Sequence, residues 1–333
     1  MDEEQDHPIP LKAAAEQFGL KRDRLRRAAW AGRLRGVQAG GQWLVRPSEV
    51  ERFITQGGRQ PASPSPEVQR TGPARGGIIA VAIPKGGTGK TTTVLNLGAA
   101  LAELGERVLL VDADPQASLT VACGVDPLGL KYTLHSAIRA YVEDAETDLS
   151  ATILHTTAGL DLLPSSITLN LANSELMAAT HREHVLEQLL DPLRSRYDWI
   201  LIDTLPYLGV LVENALVAAD DVIIPCQAQK LATESTWLLL THVAKLRRQV
   251  NPRLRVRGIL LTQLNPRLLV QRQFAENARM IFTSQAPVFE TTIELGTSVQ
   301  ESQALQQTLL SYQPHGPVAR AYRALAQEVL RGV

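Results

Sequence analysis

The segment from Pro84 to Thr92 combines three glycines with two lysines and three threonines directly after the apolar run Ile78 to Ile83. Glycines allow successive backbone N–H groups to converge on an anion, and the start of a following helix adds partial positive charge. This pattern is typical of a phosphate-binding loop between a strand and a helix. The predicted nucleotide-binding residues of the loop are Lys85, Gly86, Gly87, Thr88, Gly89, Lys90, Thr91 and Thr92.

Individual side chains of this loop have distinct expected roles. Lys90 is expected to reach the β- and γ-phosphates, and Thr91 to offer its hydroxyl group to Mg²⁺. Pro84 stands where the general pattern has its first glycine, and Lys85 is an additional lysine ahead of the glycine pair. The loop is therefore a variant of the common form.

Acidic residues follow two further apolar segments that read as strands. Residues 107–111 lead into Asp112 and Asp114, and residues 197–202 lead into Asp203. Carboxyl ends of parallel strands meet at one edge of a sheet, so these carboxylates are expected beside the glycine-rich loop. Mg²⁺ and an attacking water would lie there, and Asp203 has the Walker B position that holds Mg²⁺ through water. The predicted metal-site residues are Thr91, Asp112 and Asp203.

The rest of the chain must supply the elements that position these groups. From residue 77 onward, short apolar strands alternate with amphipathic helices. This alternation predicts an α/β fold in which a mostly parallel sheet is flanked by helices. The length of 333 residues allows two domains, and a composition of 44% apolar and 20% charged residues excludes global disorder.

A proline-rich segment divides the chain. Residues 57–77 contain four prolines and lack apolar periodicity, which is typical of a linker. We therefore predict a small domain over residues 1–56, a flexible linker over residues 57–76 and an ATPase domain over residues 77–333.

The amino-terminal domain is basic although the whole chain is neutral, with 34 Lys and Arg against 34 Asp and Glu. Residues 11–60 contain eleven basic and four acidic side chains. The pattern predicts a helix over 9–18, an arginine-rich helix over 21–31, a hairpin around a Gly-Gly pair and a helix from residue 47. This order of elements resembles the winged helix-turn-helix of MerR-like and excisionase-type domains. In that arrangement Arg22, Arg24 and Arg26 would face the major groove of DNA. The alternative is a small basic adaptor that binds protein.

The ATPase segment resembles the deviant Walker ATPases, and among them the ParA/Soj partitioning proteins. The resemblance is carried by KGGTGKTT at 85–92, VDADPQ at 111–116 and WILID at 199–203, and it extends over about residues 77–330. It implies a homodimer that sandwiches two ATP molecules, with Lys85 crossing to the phosphates of the other subunit and Asp114 positioning the attacking water. Catalysis would thus depend on Lys85, Lys90 and Asp114, with ATP and Mg²⁺ as cofactors and slow hydrolysis.

The same resemblance implies two macromolecular partners. The ATP-bound dimer would bind DNA without sequence preference, and a ParB-like centromere-binding protein would stimulate hydrolysis and release. An operator at the protein's own promoter is a further DNA target compatible with the winged domain. Asn265 and Pro266 form the candidate loop for contact with adenine.

Two segments depart from the family pattern. Leu205 replaces one of two adjacent prolines after Walker B, and Glu294, Leu295 and Ser298 occupy positions where relatives carry proline and arginine. Part of the family's DNA-binding surface is therefore expected to be missing. The predicted replacements are Arg247 and Arg248, from a cluster of five arginines within residues 247–257, together with Arg267.

Other functions remain open at this stage. One is an ATP-gated transcriptional repressor, and another is a MinD-like positioning ATPase, which would need a basic amphipathic tail on lipid. A metabolic ligase or reductase of the same fold is disfavoured by the lack of a cluster-binding cysteine pair and of a dedicated substrate motif. Without an apolar stretch of about 18 residues or a secretory signal, we expect a cytoplasmic, nucleoid-associated protein with no membrane partner. Cys123 and Cys226 are expected to be buried thiols.

Overall fold

The computed structural model describes residues 9–20, 25, 34, 36–39, 42–55, 77–145, 149–227, 230–282 and 284–332. The chain divides into two compact units, Met1–Thr71 and Gly72–Val333. Among the described helices, none combines the length and apolar character needed to cross a membrane.

The amino-terminal unit contains a small antiparallel sheet and two described helices. Strand β3 (Gln42–Val45) lies between β1 (Ile9–Pro10) and β2 (Gly36–Ala39). The hairpin predicted around the Gly-Gly pair is thus confirmed. Helices α1 (Leu11–Gln17) and α2 (Pro47–Thr55) bury apolar side chains in a core of their own.

The second unit is built on an eight-stranded sheet. Its strands are β4 (Ile78–Val81), β5 (Val108–Asp112), β6 (Leu154–His155), β7 (Asp161–Leu163), β8 (Trp199–Asp203), β9 (Asp221–Gln227), β10 (Arg255–Leu264) and β11 (Val288–Glu294). Their order across the sheet is β11-β10-β9-β4-β8-β5-β7-β6. All neighbouring strands are parallel except β6, which runs antiparallel to β7. The predicted α/β fold with a mostly parallel sheet is confirmed.

Helices cover both faces of this sheet. They are α3 (Lys90–Glu103), α4 (Ser118–Ala122), α5 (Leu134–Val142), α6 (Ala172–Ala178), α7 (Val185–Leu190), α8 (Val210–Ala218), α9 (Lys230–Gln249), α10 (Leu269–Phe282), α11 (Thr297–Ala304), α12 (Leu309–Tyr312) and α13 (Pro317–Arg331). Short 3₁₀ turns lie at Leu149–Ala151, Ile167–Leu171 and Asp191–Ser195.

Two apolar clusters fill the space between the helices and the sheet. Along β4, Ile78 and Ala80 belong to one cluster, whereas Ile79 and Val81 belong to the other, as the alternation of side chains in a strand requires. Helices α5 to α10 pack on the first face, and α3, α4, α12 and α13 pack on the second. Both cysteines are buried and free, as expected.

The close packing of α3 on the sheet has a specific cause in the sequence. Gly98 faces the sheet, and a Cβ atom placed there would lie 2.7 Å from Leu110 Cδ2. The absence of a side chain therefore lets the helix that follows the glycine-rich loop approach β5 directly. Helix α3 begins at Lys90, so Lys90 and Thr91 belong to its first turn.

Candidate active site

The glycine-rich loop joins the central strand β4 to α3 at the carboxyl edge of the sheet. Gly87 and Gly89 have φ values of 70° and 89°, in the left-handed region that glycine adopts without steric cost. Gly89 is the N-cap residue of α3, so the loop ends at the positive end of the helix dipole. The loop thus has the local geometry that anion binding requires.

The two lysines of the loop are in different environments. Lys90 is buried and donates from Nζ to the carbonyl oxygen of Lys85 at 3.0 Å. Burial lowers the pKa of Lys90, although attraction to Asp203 and Asp114 opposes this shift. Lys85 is half-buried, and within the described part of the chain it forms no ion pair. Lys90 is therefore held inside the site, whereas no carboxylate in the described part of the chain pairs with Lys85.

The carboxylates predicted from the strand ends lie beside this loop. Strands β5 and β8 are neighbours, and Asp112 pairs in register with Asp203. Thr91 donates from Oγ1 to Asp203 Oδ2 at 2.6 Å. Burial raises the pKa of Asp203 to about 8, and the charge of Asp112 adds to the rise. The carboxylate of Asp203 is thus energetically costly without a nearby cation.

The donor set at Thr91 and Asp203 fits a magnesium ion. Asp203 Oδ1 is buried and has no hydrogen-bond partner among the described residues, so it is an open acceptor. A hydroxyl and a single carboxylate are hard oxygen donors, and Mg²⁺ in nucleotide sites usually combines one or two carboxylates with phosphates and waters. Within the described residues there is no cluster of three or more acidic, His or Cys side chains that would hold a metal alone.

Asp112, the third predicted metal-site residue, accepts hydrogen bonds from the turn that follows β5. Its Oδ2 accepts from the backbone N–H of Thr120 at 2.8 Å and from Thr120 Oγ1 at 2.7 Å, and its Oδ1 accepts from the backbone N–H of Asp114 at 3.1 Å. Burial raises the pKa of Asp112 to about 6. With these acceptor positions occupied, Asp112 fixes the turn that carries Asp114 and contributes charge near Asp203.

Asp114 lies just beyond the end of β5. It is half-buried, and its Oδ1 accepts from the backbone N–H of Gln116 at 2.9 Å. The bond from its own N–H to Asp112 fixes the backbone at this position. The structure therefore brings Asp114 to the carboxyl edge of the sheet, together with Lys90 and Asp203.

The Asn265–Pro266 loop also lies at the carboxyl edge, after β10. Strand β10 ends at Leu264, directly before this loop. Asn265 donates from its backbone N–H to Gln271 Oε1 at 2.6 Å and accepts from the N–H of Arg267 at 3.0 Å. Arg267 is exposed on this loop. The loop begins two residues after Gln263, whose side chain contacts the glycine-rich loop.

The arginine cluster of residues 247–257 lies at the opposite, amino edge of the sheet, where it lines a cavity of about 1090 Å³. Although the cluster contains no acid in sequence, the fold brings acids to it: Arg253 pairs with Glu187, and Arg255 and Arg257 pair with Asp221. Arg247 and Arg248 are exposed and form no ion pair within the described residues. They are the members of the cluster left available for phosphate.

The remaining predicted DNA-contacting residues cannot be placed in the same way. Arg22, Arg24 and Arg26 lie outside the described residues. The segment with Glu294, Leu295 and Ser298 joins the end of β11 to α11, and Leu295 is exposed there.

Several side chains at the site were missed by the sequence analysis. Thr120 anchors Asp112, and Thr262, Gln263 and Gln227 donate hydrogen bonds to carbonyl groups of the glycine-rich loop. No local motif surrounds these residues, and their role depends on contacts between distant segments. For Thr262, Gln263 and Gln227, the only signal in the sequence was their position at or just after the carboxyl ends of apolar runs.

Comparison with known proteins agrees with the two units. A family model described as an AAA domain matches residues 76–256, and one described as a helix-turn-helix domain matches residues 11–58. The chain is 36% identical over 254 residues to the sporulation initiation inhibitor protein Soj of Bacillus subtilis, which covers 76% of this chain and 98% of Soj. It is 35% identical over 259 residues to the chromosome partitioning protein ParA of Caulobacter vibrioides, covering 76% of this chain and 93% of that protein.

A solved structure with similar architecture is cobyrinic acid a,c-diamide synthase from Mycobacterium smegmatis with bound ADP and magnesium. The superposition has a TM-score of 0.66 at 35% identity and covers 77% of this chain and 94% of that one. This relative of the larger unit was thus crystallised with a nucleotide and a metal ion.

Proposed function

The chain belongs to the ParA/Soj family of P-loop ATPases, and on this basis we propose that it is a DNA-segregation ATPase. ATP and Mg²⁺ would drive formation of a homodimer, the dimer would bind DNA, and a ParB-like partner would stimulate hydrolysis and release. Repression of its own promoter through the helix-turn-helix domain is compatible with this cycle.

The observation that best supports the proposal is the contrast between the two loop lysines. Lys90 is buried against the loop and near Asp203, whereas Lys85 is half-buried without a carboxylate partner in the described chain. A cation left uncompensated at the edge of a nucleotide site is suited to neutralise phosphate charge across a subunit interface. We therefore assign Lys85 to the nucleotide of the second subunit.

The other residues of the site have roles that follow from their placement. We propose that Lys90 binds the β- and γ-phosphates, that Thr91, Asp112 and Asp203 hold Mg²⁺, and that Asp114 orients the attacking water. Mg²⁺ would neutralise charge on the phosphate oxygens. Asp112 keeps the Asp114 turn in place through its three hydrogen bonds. Asn265 and Pro266 are proposed to contact adenine.

Nonspecific DNA binding is proposed to depend on exposed arginines. Arg247 and Arg248 are unpaired in the described chain at the amino edge, and Arg267 is exposed at the carboxyl edge. Phosphate contacts by these arginines would depend on salt and carry no sequence preference. The helix-turn-helix domain would add a second DNA contact, in which Arg22, Arg24 and Arg26 face the major groove.

The helix-turn-helix domain also favours a second candidate function, an ATP-gated transcriptional repressor. In that case specific operator binding would reside in residues 11–58, and the ATPase unit would serve as a dimerisation switch. The two functions differ in whether the ATPase unit itself binds DNA.

The MinD-like and metabolic alternatives receive less support from the described residues. Helix α13 buries Tyr322, Leu325 and Val329 in the core, so this helix does not offer that face to a membrane. The cavity of about 1090 Å³ lies at the amino edge, so it is not a substrate pocket beside the glycine-rich loop.

DNA binding by the full chain and by a fragment of residues 72–333 tests the proposal. We expect both to bind arbitrary duplex DNA with a non-hydrolysable ATP analogue and Mg²⁺, and neither to bind it tightly with ADP. If only the full chain binds, and only one operator sequence, the repressor function is correct and segregation is wrong.

Replacing two arginines tests the proposed DNA contacts in the full chain. We expect Arg247→Ala/Arg248→Ala to weaken ATP-dependent binding and to reduce the salt dependence by about one released counterion per arginine. The matched control is Arg139→Ala/Arg182→Ala, which removes the same charge from exposed positions elsewhere. Equal losses in both double variants would contradict a specific role for Arg247 and Arg248.

A further inference from the structure

Side chains from the ends of β9 and β10 hold the backbone of the glycine-rich loop. Gln227 Nε2 donates to the carbonyl oxygen of Gly87 at 2.8 Å, and Gln263 Nε2 donates to the same oxygen at 2.5 Å. Thr262 Oγ1 donates to the carbonyl oxygen of Thr88 at 2.8 Å. Two consecutive carbonyl groups of the loop are thus fixed by residues outside the glycine-rich motif.

These bonds also determine where the loop's N–H groups point. In a trans peptide the C=O and N–H of one unit point in opposite directions, and the described chain contains no cis peptide bond. Holding the Gly87 carbonyl therefore orients the Thr88 N–H the opposite way, and holding the Thr88 carbonyl orients the Gly89 N–H. A phosphate-binding loop needs its N–H groups turned toward the anion and its carbonyl groups turned away.

The two glutamines form a connected unit. Gln227 Nε2 also donates to Gln263 Oε1 at 2.9 Å, so each amide restrains the other. Gln263 has a φ of 53°, a left-handed conformation that is uncommon for a residue other than glycine. Strained backbone of this kind persists where the surrounding contacts over-determine it, and it is concentrated at functional sites.

The threonine bond is shielded from water. Thr262 and Thr88 are 2% and 1% exposed, so the donor and acceptor do not exchange this bond for one with solvent. Gln227 and Gln263 are half-buried and lie nearer the surface. Thr262 therefore provides a buried hydrogen bond to the loop, and the two glutamines provide hydrogen bonds nearer the surface.

We infer that Thr262, Gln263 and Gln227 are positioning residues that orient the Thr88 and Gly89 N–H groups toward nucleotide phosphates before the nucleotide arrives. This inference rests on the nucleotide site of the proposed function. ATP and ADP share the phosphates that the oriented N–H groups would contact. Loss of the bonds to the loop carbonyl groups should therefore weaken the binding of both nucleotides. A purely structural role would lower the stability of the nucleotide-free protein and leave the nucleotide affinity unchanged.

The test uses neutral substitutions in the full chain, since a new charge would by itself change the affinity for phosphate. Gln263→Met and Thr262→Val keep approximate side-chain size and remove the donor groups. We expect each to raise the dissociation constants of fluorescent ADP and ATP about fivefold to tenfold, the range of one lost hydrogen bond. Without nucleotide, the melting temperature of Gln263→Met should stay close to that of the parent protein. Thr262→Val leaves the buried Thr88 carbonyl group unpaired, so its melting temperature should fall by a few degrees.

Two further variants serve as controls. Thr262→Ser retains the hydroxyl donor and should bind nucleotide nearly as well as the parent. Gln188→Met makes the same side-chain change at an exposed position of α7 and should have no effect on affinity. If Thr262→Val does not fold, the half-buried Gln263 carries the test through Gln263→Met alone.

The outcomes separate this inference from the proposed function. If the parent protein does not bind ATP or ADP, the proposed nucleotide site is wrong. If the parent binds both nucleotides and Gln263→Met binds them equally well, the positioning role is wrong. An equal loss of affinity in Thr262→Ser and Thr262→Val would also overturn it, because the hydroxyl donor would then be irrelevant.

Discussion

Lys85→Ala is expected to abolish ATP turnover while leaving nucleotide binding nearly intact. The loop glycines and Lys90 are proposed to bind the phosphates of their own subunit, whereas Lys85 has no carboxylate partner in the described chain and is assigned to the opposite nucleotide. A cation supplied across an interface stabilises the transferring phosphoryl group, so we expect hydrolysis to fall by about 100-fold or more. ATP-dependent dimerisation should be lost with it. Steady-state phosphate release and fluorescent nucleotide binding measure the two effects.

Mixing two inactive variants distinguishes a contribution in trans from one within the same subunit. In a heterodimer of Lys85→Ala and Asp114→Ala, the subunit with the first change keeps its own Asp114 and receives Lys85 from the other subunit. Each mixed dimer has one complete site of two and keeps one Lys85 for dimerisation, so activity should recover to at most about half of the parent value. A mixture as inactive as its components would place Lys85 in its own subunit's site, and unchanged hydrolysis by Lys85→Ala would remove it from catalysis.

Asp203→Asn is expected to stabilise the nucleotide-free protein and to abolish magnesium-dependent activity. Burial raises the pKa of Asp203 to about 8, well above its value in an unfolded chain. The folded state therefore retains a proton that the unfolded state releases, so this group makes stability fall as pH rises from about 4 to about 8. Asparagine does not ionise, and the variant should gain about 1–3 kcal/mol over the parent by pH 8.

The same substitution removes the open oxygen proposed to help hold the metal. Without it, Mg²⁺ and ATP should no longer raise the melting temperature beyond the effect of ATP alone, and hydrolysis should fall to background. Thermal unfolding from pH 5 to pH 9, with and without Mg²⁺ and ATP, measures both effects. Asp126→Asn, at an exposed position, is the control. A variant that loses stability at pH 8, or that keeps a full magnesium response, would contradict the role given to Asp203.

The parts of the site that depend on a local pattern could be predicted from the sequence. The loop from Lys85 to Thr92 has its spacing within one segment, and Asp112 and Asp203 could be placed side by side because both end parallel strands. What the sequence could not show was how Asp112 uses its oxygens, since the hydrogen bonds to Thr120 depend on the turn that follows β5.

Long-range contacts account for the other differences. Gln227 and Gln263 reach the Gly87 carbonyl across 140 and 176 residues, and no motif links such distant positions. The arginine cluster is free of acids along the chain, yet Asp221 forms ion pairs with Arg255 and Arg257 because β9 and β10 are neighbours. Charge counted along a sequence therefore overestimates the charge that the folded surface offers to DNA.

The mass of the full chain in solution with different nucleotides tests the central claim most directly. With a non-hydrolysable ATP analogue and Mg²⁺, light scattering should give twice the chain mass of 36.3 kDa, and with ADP or without nucleotide it should give the single-chain value. A protein that remains a single chain with the ATP analogue, or that has the same mass in all three conditions, would contradict an ATP-driven dimer in which each subunit completes the other's site.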